Sequence, residues 1–176
     1  IRGLDNEYGK TMINGISMDK IYDGRPQYSN WGGLNDATRN QEFTMGSTPS
    51  DYTFGGALGT QEINTRASIY RPGTRISFSG TNTNYNWRTM ATHASGMDKD
   101  GWAYVISAAR RWANEGYFEG TDYAANSFFA SVEKRINENH SLNFTSIYAQ
   151  NSRGKNSPNS KEVNDLVGTK YNSYWG

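Results

Sequence analysis

The sequence predicts a mostly β protein in two parts: a small, loop-rich α+β unit, followed by antiparallel strands of the length found in membrane β-barrels. Glycine and turn-forming residues are dense up to about Tyr70, and only short strand candidates lie between them. After residue 73, segments of about 10 to 15 residues alternate in polarity and are separated by polar turns. This change of pattern places the boundary between the two parts near residue 70.

Composition and charge exclude several classes of protein. Five Trp, 12 Tyr and 7 Phe, with 18 basic and 17 acidic residues, are unlike a disordered chain, which has few aromatics and a large net charge. A net charge of +1 leaves no basic stripe for phosphates, so we expect no nucleic-acid partner. No apolar run reaches about 18 residues, which excludes a helical membrane span. Without cysteine there is no disulfide and no Cys-ligated metal.

In the first part, two stretches alternate in polarity well enough to predict strands, at residues 11–16 and 62–69. Helical periodicity is confined at best to residues 34–39. Turn signals such as Asn14-Gly15 and Thr48-Pro49-Ser50 separate these elements. Elements this short cannot enclose much of a core, so we expect a small α+β unit.

The second part predicts five strands. Within the first of them, Ile76 and Phe78 share one face while Arg75 and Ser77 share the other, which is the period of a half-buried strand. For the third strand the sequence does not indicate which face is buried, because apolar residues occupy both faces. A polar stretch at residues 150–161 predicts a mobile surface loop. The predicted strands cover residues 74–81, 87–96, 101–112, 123–136 and a segment that starts near residue 142.

Loop lengths and strand lengths favour a membrane barrel over a soluble sandwich. The loops are expected to alternate between short and longer connections, as in barrels with short periplasmic turns and long extracellular loops. Both architectures place aromatics near strand ends, but soluble strands are usually about five or six residues long, roughly half the length predicted here. The aromatics expected at the level of the interfacial girdles are Tyr85, Trp87, Trp102, Trp112, Tyr117 and Tyr123.

The first part resembles the C-terminal end of the plug domain of TonB-dependent outer-membrane receptors. Ile1-Arg2-Gly3-Leu4 matches the "(I/F)RG" segment of these plugs, and Met12-Ile13-Asn14-Gly15-Ile16 matches a plug strand that ends in Asp or Asn before Gly. The most specific match is a spaced signature made of Glu42-Phe43, Gly46, Pro49-Ser50, Phe54-Gly55, Ala57, Gly59 and Ile63-Asn64-Thr65.

The second part resembles the start of the barrel in the Bacteroidetes branch of these receptors. The resemblance covers nearly the whole chain, and it implies the C-terminal part of a plug at residues 1–70 and the first barrel strands at residues 71–176. Such barrels have about 22 antiparallel strands, so we expect a fragment of a membrane β-barrel with about five of them and a small α+β plug. The matching segments are Tyr70-Arg71-Pro72-Gly73-Thr74-Arg75, Gly101-Trp102-Ala103, Arg110-Arg111-Trp112, Glu115-Gly116-Tyr117, Val132-Glu133-Lys134-Arg135, His140-Ser141-Leu142, Tyr171-Asn172 and Tyr174-Trp175-Gly176.

The resemblance implies energy-coupled import of a nutrient, such as a glycan, peptide or siderophore, across the bacterial cell outer membrane. A substrate binds from outside, and the TonB-ExbB-ExbD complex pulls on the plug through an N-terminal segment absent from this sequence. Expected partners are that complex, outer-membrane lipid and a surface lipoprotein that lids the barrel. No bond in the substrate is broken, so the resemblance implies neither an enzyme nor a cofactor.

Two sets of residues are candidates for function. Arg2 and Glu42 match plug positions that form ionic contacts with barrel or neighbouring plug strands, and an ordinary exposed ion pair is the equal alternative. Exposed aromatics on loops commonly grip glycans, peptides and siderophores, which makes a Gly-punctuated plug loop the candidate substrate site. For Trp31 and Tyr52, packing against the barrel wall is the alternative. The candidate contacts are Tyr22, Asp23, Arg25, Gln27, Tyr28, Trp31 and Tyr52.

Other chemistries receive little support from residue spacing. The glycine-rich stretch around Gly55-Gly56 lacks the Gly-Lys-Ser/Thr and the strand-to-helix context of a phosphate loop. Asp98-Lys99-Asp100-Gly101 lacks the remaining ligands of a calcium loop. His93 and His140 have no partner at ligand spacing, so we expect no metal site.

Two alternatives to a transporter remain open. A soluble extracellular β-rich carbohydrate-binding module would also explain the aromatic loops, and a passive porin or barrel scaffold is the third hypothesis. The transporter and the module differ in where Ile76, Phe78, Phe144 and Tyr148 lie. On a convex outer surface, these side chains would contradict a soluble module.

Overall fold

The computed structural model describes residues 3–175 and contains two β-sheets. The first sheet consists of β1 (Lys10–Ile13), β2 (Ile16–Ser17), β3 (Gln41–Thr44) and β4 (Thr60–Ile63), with 3₁₀ turns at Asn6–Tyr8, Tyr28–Trp31 and Ala67–Ile69. Its strand order is β2-β1-β4-β3. The central strands β1 and β4 run parallel, with Lys10 opposite Thr60, and the outer pairs are antiparallel.

Backbone geometry shortens the elements predicted for this part. The strand expected at residues 11–16 is broken at Asn14 and Gly15, whose φ angles of 50° and 80° suit these two residue types and produce a turn between β1 and β2. Residues 34–39 form a single helical turn and no longer helix, since the Thr38 N–H donates to the Leu34 carbonyl at 3.0 Å. Leu34 and Ala37 lie on this turn and are both fully buried against the second sheet.

The second sheet has five antiparallel strands in chain order, as predicted. These are β5 (Gly73–Gly80), β6 (Trp87–Ala94), β7 (Trp102–Ala113), β8 (Tyr123–Arg135) and β9 (Ser141–Arg153). Among the described residues, β5 and β9 each pair with one neighbour only, so the sheet is open and is not closed into a barrel. A short helix, α1 (Lys161–Val167), follows, and Ser160 Oγ caps it by accepting from the Val163 N–H.

Two predictions about the connections are wrong. β9 continues through residues 150–153, within the stretch expected to be a mobile loop, because these residues pair with residues 123–126 of β8. The ladder hydrogen bonds outweigh the low strand propensity of Asn there. The β6–β7 connection spans residues 95–101 and is no shorter than the β5–β6 connection at residues 81–86. Gly96, with φ of 74°, ends the regular ladder of β6 early.

The first part of the chain covers one face of the five-stranded sheet. This inner face contains Ala103 and Val105 of β7, whereas Trp102 and Tyr104 of the same strand point to the exposed outer face. The structure therefore shows which face of β7 is buried and which is exposed. The main core consists of Leu34, Ala37, Ala67 and Tyr70 from the first part and Ala94, Ala103, Val105 and Phe129 from the sheet.

Candidate functional site

The outer face of the five-stranded sheet is apolar and exposed. Ile76, Phe78, Phe144 and Tyr148 are exposed by 76%, 64%, 67% and 57%. The strand register places Ile76, Phe128 and Tyr148 in one row across the sheet, with two alanines between them. Soluble monomers rarely expose large contiguous apolar surfaces, and such surfaces mark contact with lipid or with another protein.

Tryptophans lie at both ends of this apolar surface. At one end, the Lys134 ammonium lies 4.9 Å from the ring centroid of Trp102. At the other end, Trp87 lies opposite Trp112 in the β6–β7 register, and the Arg110 guanidinium lies 5.7 Å from the Trp112 ring. Trp102 and Trp112 share one face of β7 and are separated by roughly 33 Å of strand. Each end therefore combines an amphipathic ring with a cation.

Some aromatics expected in the girdles lie elsewhere. Tyr123 is buried on the inner face, where its ring centroid is 5.6 Å from that of Tyr85. Tyr117 lies in the loop after β7, and its hydroxyl hydrogen-bonds with Thr169 Oγ1 at 2.8 Å. Strand alternation in β8 turns Tyr123 away from the outer face, so nearness to a strand end alone does not identify a girdle residue.

An ion pair connects the first part of the chain to the inner face. The Arg66 guanidinium lies 2.5 Å from Glu133 Oε1 on β8 and also donates to Ser141 Oγ. The Ser68 N–H donates to Glu133 Oε2 at 3.0 Å. Both carboxylate oxygens therefore have a partner, although the Glu133 side chain is only 2% exposed. A buried charge requires such pairing, because its desolvation costs several kcal/mol.

Further polar contacts extend along the same interface. The Arg75 guanidinium on β5 lies 3.5 Å from Asp36 Oδ1 in the first part. Ser127 Oγ donates to the Gly32 carbonyl at 2.6 Å, next to the 3₁₀ turn at Tyr28–Trp31. The two parts of the chain are thus joined by charged and hydrogen-bonded groups as well as by the apolar core.

Of the two residues predicted to form plug ionic contacts, only Glu42 is described, and it does not contribute to this interface. Arg2 lies outside the described residues. Glu42 is exposed on β3, opposite Glu62, and forms no ion pair with a described residue. Glu62 Oε1 accepts from the Gly15 N–H at 3.0 Å, while its Oε2 is buried without a partner. Burial raises the pKa of Glu62, and the nearby Glu42 carboxylate raises it further.

Three of the predicted substrate contacts lie together on an exposed loop. Tyr22 is 81% exposed, with the Lys20 ammonium 4.7 Å from its ring centroid. Asp23 accepts from Lys20 Nζ at 2.6 Å, and this hydrogen bond lowers the pKa of Asp23. Arg25 forms an exposed ion pair with Asp5. The charged members of this loop are therefore already paired with neighbouring residues of the first part.

The other four predicted contacts differ strongly in exposure. Gln27 and Tyr28 are exposed, and the Tyr28 ring meets Trp31 edge-on at 5.6 Å. Trp31 is only 5% exposed and packs with two isoleucines of the first sheet and with Ile147 of β9. Tyr52 is half-exposed, with its ring against the turn between β1 and β2. The burial of Trp31 favours its alternative role, which is packing between the first part and the sheet.

Loops at one end of the five-stranded sheet enclose a cleft of about 340 Å³. Its wall combines the rings of Tyr117 and Tyr174 with the charged side chains of Asp122, Arg153 and Lys155. This volume lies at the lower end of the range for small-molecule sites, about 300–1,000 Å³. None of the seven predicted substrate contacts lines this cleft.

Hydrogen bonds join the loops around the cleft. The buried Asn172 donates through Nδ2 to the carbonyls of Glu119, at 2.9 Å, and Lys155, at 3.0 Å. The Glu119 N–H donates to the Lys170 carbonyl at 3.0 Å. Three separate segments therefore meet at one buried amide. The sequence contains no local signal for this role, since Asn172 lies in a polar stretch where burial is not expected.

The glycine-rich segment before β4 allows close approach of the backbone. Gly59 has a φ of 97°, and a Cβ at this position would lie 2.0 Å from the Thr44 carbonyl oxygen. Only glycine allows β4 to start beside the end of β3 in this way. This packing accounts for Gly59 without a phosphate ligand.

The sequence alone does not predict that Arg66, Glu133, Asp36 and Arg75 connect the two parts. The one available signal was strand alternation, because Glu133 shares a face of β8 with Ser127 and Ser131. An acidic residue on a face of small polar residues indicates a specific partner when that face is buried. The burial of this face is visible only in the folded structure, not in the sequence.

No known protein-family profile matches the chain, and no curated protein shows significant similarity to it. Residues 3–175 contain no helix that is long and apolar enough to cross a bilayer. In the same range, no group of three or more His, Cys, Asp or Glu side chains is arranged to hold a metal ion. The geometry of the sheet and its loops is therefore the basis for a functional proposal.

Proposed function

We propose that the chain is part of a TonB-dependent outer-membrane transporter. Residues 1–70 form the C-terminal part of its plug, and residues 71–176 form the first strands of a barrel of about 22 strands. The activity is energy-coupled import of a nutrient across the bacterial outer membrane. The observation that carries this proposal is the polarity of the five-stranded sheet. Its exposed face is apolar, while its covered face combines an apolar core with buried polar residues, namely Thr92, Ser107, Ser127, Ser131 and Glu133.

The dimensions of the outer face support a position in a bilayer. Outer-membrane strands tilt by about 35–45°, so roughly 33 Å of strand between Trp102 and Trp112 projects to roughly 25 Å along the membrane normal. The apolar band of such barrels is also about 25 Å tall and is flanked by aromatic girdles. Trp102 with Lys134, and Trp112 with Arg110, provide a ring and a cation at each headgroup level.

The inner face supports contact with a plug that has to rearrange. Ion pairs and single hydrogen bonds such as Arg66–Glu133 and Ser127–Gly32 exchange their partners for water at a modest net cost. The apolar core of the same interface has no such exchange, because its exposed surface is not rehydrated favourably, so it is the polar contacts alone that favour rearrangement. The proposed partners are the TonB-ExbB-ExbD complex, outer-membrane lipid and a surface lipoprotein above the loops.

Uptake by cells with the complete gene tests the activity. Deletion of the gene should abolish uptake of one nutrient and leave passive diffusion of small solutes intact. Deletion of TonB should abolish the same uptake, because the import step requires energy from the inner membrane. If uptake of that nutrient persists without TonB, the energy-coupled function is wrong.

Fractionation separates the transporter from a soluble carbohydrate-binding module. The full-length protein should sediment with the outer membrane, remain there in high salt and at alkaline pH, and dissolve only in detergent. The apolar outer face would otherwise be exposed to water, at a cost of about 25 cal/mol per Å². Recovery of the intact protein in a soluble fraction would favour the module.

A further inference from the structure

We infer that Arg88 and Arg111 form a subsite for an anionic group of the imported solute, namely a carboxylate, a sulfate or a phosphate. The inference rests on the proposed transport function and makes its substrate class more specific. Arg88 lies on β6 and Arg111 lies on β7, and we call them the arginine pair. Both belong to the inner face of the sheet, towards the end where the cleft-forming loops lie.

The two arginines lie next to each other across two strands. Arg88 is directly opposite Arg111 in the antiparallel β6–β7 register. Arg88 shares its strand face with the buried Met90, and Arg111 shares its face with the buried Ala109. Like charges directly opposite on one face of a sheet repel and weaken the pairing. An anion bound between the guanidinium groups would remove that repulsion.

Neither guanidinium has an acidic partner among residues 3–175. Arg88 donates to the Met90 sulfur at 3.4 Å, a weak acceptor, and its Nε is buried without a hydrogen bond. Two other arginines at the same interface are neutralised, Arg66 by Glu133 and Arg75 by Asp36. The described chain therefore supplies carboxylates for two of its inner-face cations and none for the arginine pair.

Aromatic rings hold Arg111 without using its N–H groups. Its guanidinium carbon lies 5.8 Å from the ring centroid of Tyr85 and 5.5 Å from that of Tyr123. Cation–π contacts of this kind position the guanidinium but do not consume a hydrogen-bond donor. The planar fork of Arg remains available for two parallel hydrogen bonds to a carboxylate, sulfate or phosphate.

The arginine pair lies beside the loop cleft. Tyr123 contacts Arg111 and also lines the cleft, together with the basic residues Arg153 and Lys155. The cleft wall also contains Asp122, and the net positive charge that remains raises the local concentration of anions at the loop end of the sheet. An anionic solute entering from the loops would therefore be attracted towards the arginine pair.

Thermal unfolding of the full-length protein in detergent tests the subsite. Chloride is replaced at constant ionic strength by sulfate, phosphate, acetate or glucuronate, and the melting temperature is followed as a function of concentration. A ligand that binds only the folded state raises the melting temperature. We expect at least one anion to stabilise the protein, and R88Q and R111Q to weaken its apparent affinity by roughly tenfold. The anion with the largest effect identifies the chemical group.

Matched variants separate this subsite from general salt effects. R110Q removes the same charge from the outer face of β7, beside Trp112, and should respond to anions as the wild type does. R88K keeps the charge but loses the planar fork, and it should show an intermediate loss. Equal responses of the wild type, R88Q and R111Q would overturn the inference, as would an equal loss in R110Q.

The anion titration and the uptake assay can fail independently. The titration requires neither TonB nor transport, so an absent anion effect with intact TonB-dependent uptake overturns the subsite alone. Conversely, anion binding by the arginine pair together with TonB-independent uptake overturns the proposed function alone.

Discussion

The five-stranded sheet exposes apolar side chains on its outer face, whereas its inner face buries polar side chains beside an apolar core. Phe128 is more than half exposed, whereas Ser127 and Ser131 on the same strand are almost inaccessible. In a water-soluble antiparallel sheet the face away from the core is polar, whereas the face away from the core is apolar here. An apolar outer face is what the proposed contact with lipid would require.

The two faces should therefore respond to different changes. Stability on the inner face depends on specific partners, because each buried polar group needs its hydrogen bond or its counter-charge. Stability on the outer face depends on the surrounding medium, because the exposed side chains have few specific partners to lose. Substitutions on each face, with stability measured in more than one medium, test whether the two faces differ in this way.

The largest effect is expected on the inner face, for Arg66→Ala. This change removes the cationic partner of the Glu133 carboxylate, which is 2% exposed, and leaves it with hydrogen bonds from Ser68. Removing one member of a buried ion pair typically costs about 3–5 kcal/mol. We expect the free energy of unfolding of the full-length protein, measured in urea and detergent, to fall by that amount.

Two controls show whether burial causes the effect. Arg25→Ala removes the exposed pair with Asp5 and should cost less than about 1 kcal/mol. The double variant R66A/E133Q should recover part of the lost stability, because no unpaired charge remains buried. Similar small losses for R66A and R25A would show that the inner-face pair behaves as a surface pair.

The next largest effect is expected on the outer face, for Phe128→Arg. Phe128 lies near the middle of β8, midway between the two tryptophan levels. An arginine on the lipid-facing surface costs about 2–4 kcal/mol at the bilayer midplane. We expect this loss for the full-length protein unfolded from lipid vesicles. In water an exposed Phe→Arg substitution changes stability by only about 0.5 kcal/mol.

Leu142→Arg is the matched change at the edge of the apolar surface. Leu142 is 69% exposed and lies in the row of Lys134 and Trp102. Near the interface an arginine costs about 0–1 kcal/mol, since the side chain reaches the headgroups. Equal costs for F128R and L142R would contradict a depth-dependent environment and, with it, the membrane position of the outer face.

Strand alternation is a local signal, which is why it predicted the five strands and their polarity pattern. It did not show which face of β7 is buried, because both faces carry apolar side chains. The buried face is the one that packs against Leu34 and Tyr70, which are distant in sequence. The Arg66–Glu133 pair has the same origin, since its members meet only after the two parts of the chain pack together. The prediction of substrate contacts in the plug loop has the same limit. The sequence does not show whether an aromatic such as Trp31 is buried or exposed.

A smaller effect than for Arg66→Ala or Phe128→Arg is expected for Gly33→Ala, where the first part approaches the inner face. Gly33 has a φ of 91°, and a Cβ there would lie 3.1 Å from both Arg111 Nε and Ser127 Oγ. Backbone strain and this close contact should together lower the free energy of unfolding by about 1–2 kcal/mol. The measurement is urea unfolding of the full-length protein.

Gly168→Ala is the control that measures the cost of backbone strain without a close contact of the added Cβ. Gly168 has a φ of 92°, and a Cβ there would have nothing within 4 Å. The additional loss in G33A therefore measures the packing of Gly33 against the inner face. Displacement of Arg111 should also weaken the response of G33A to anions, whereas G168A should respond normally. If the two variants lose equal stability and respond equally to anions, the inner face tolerates a side chain at position 33 and does not depend on this contact.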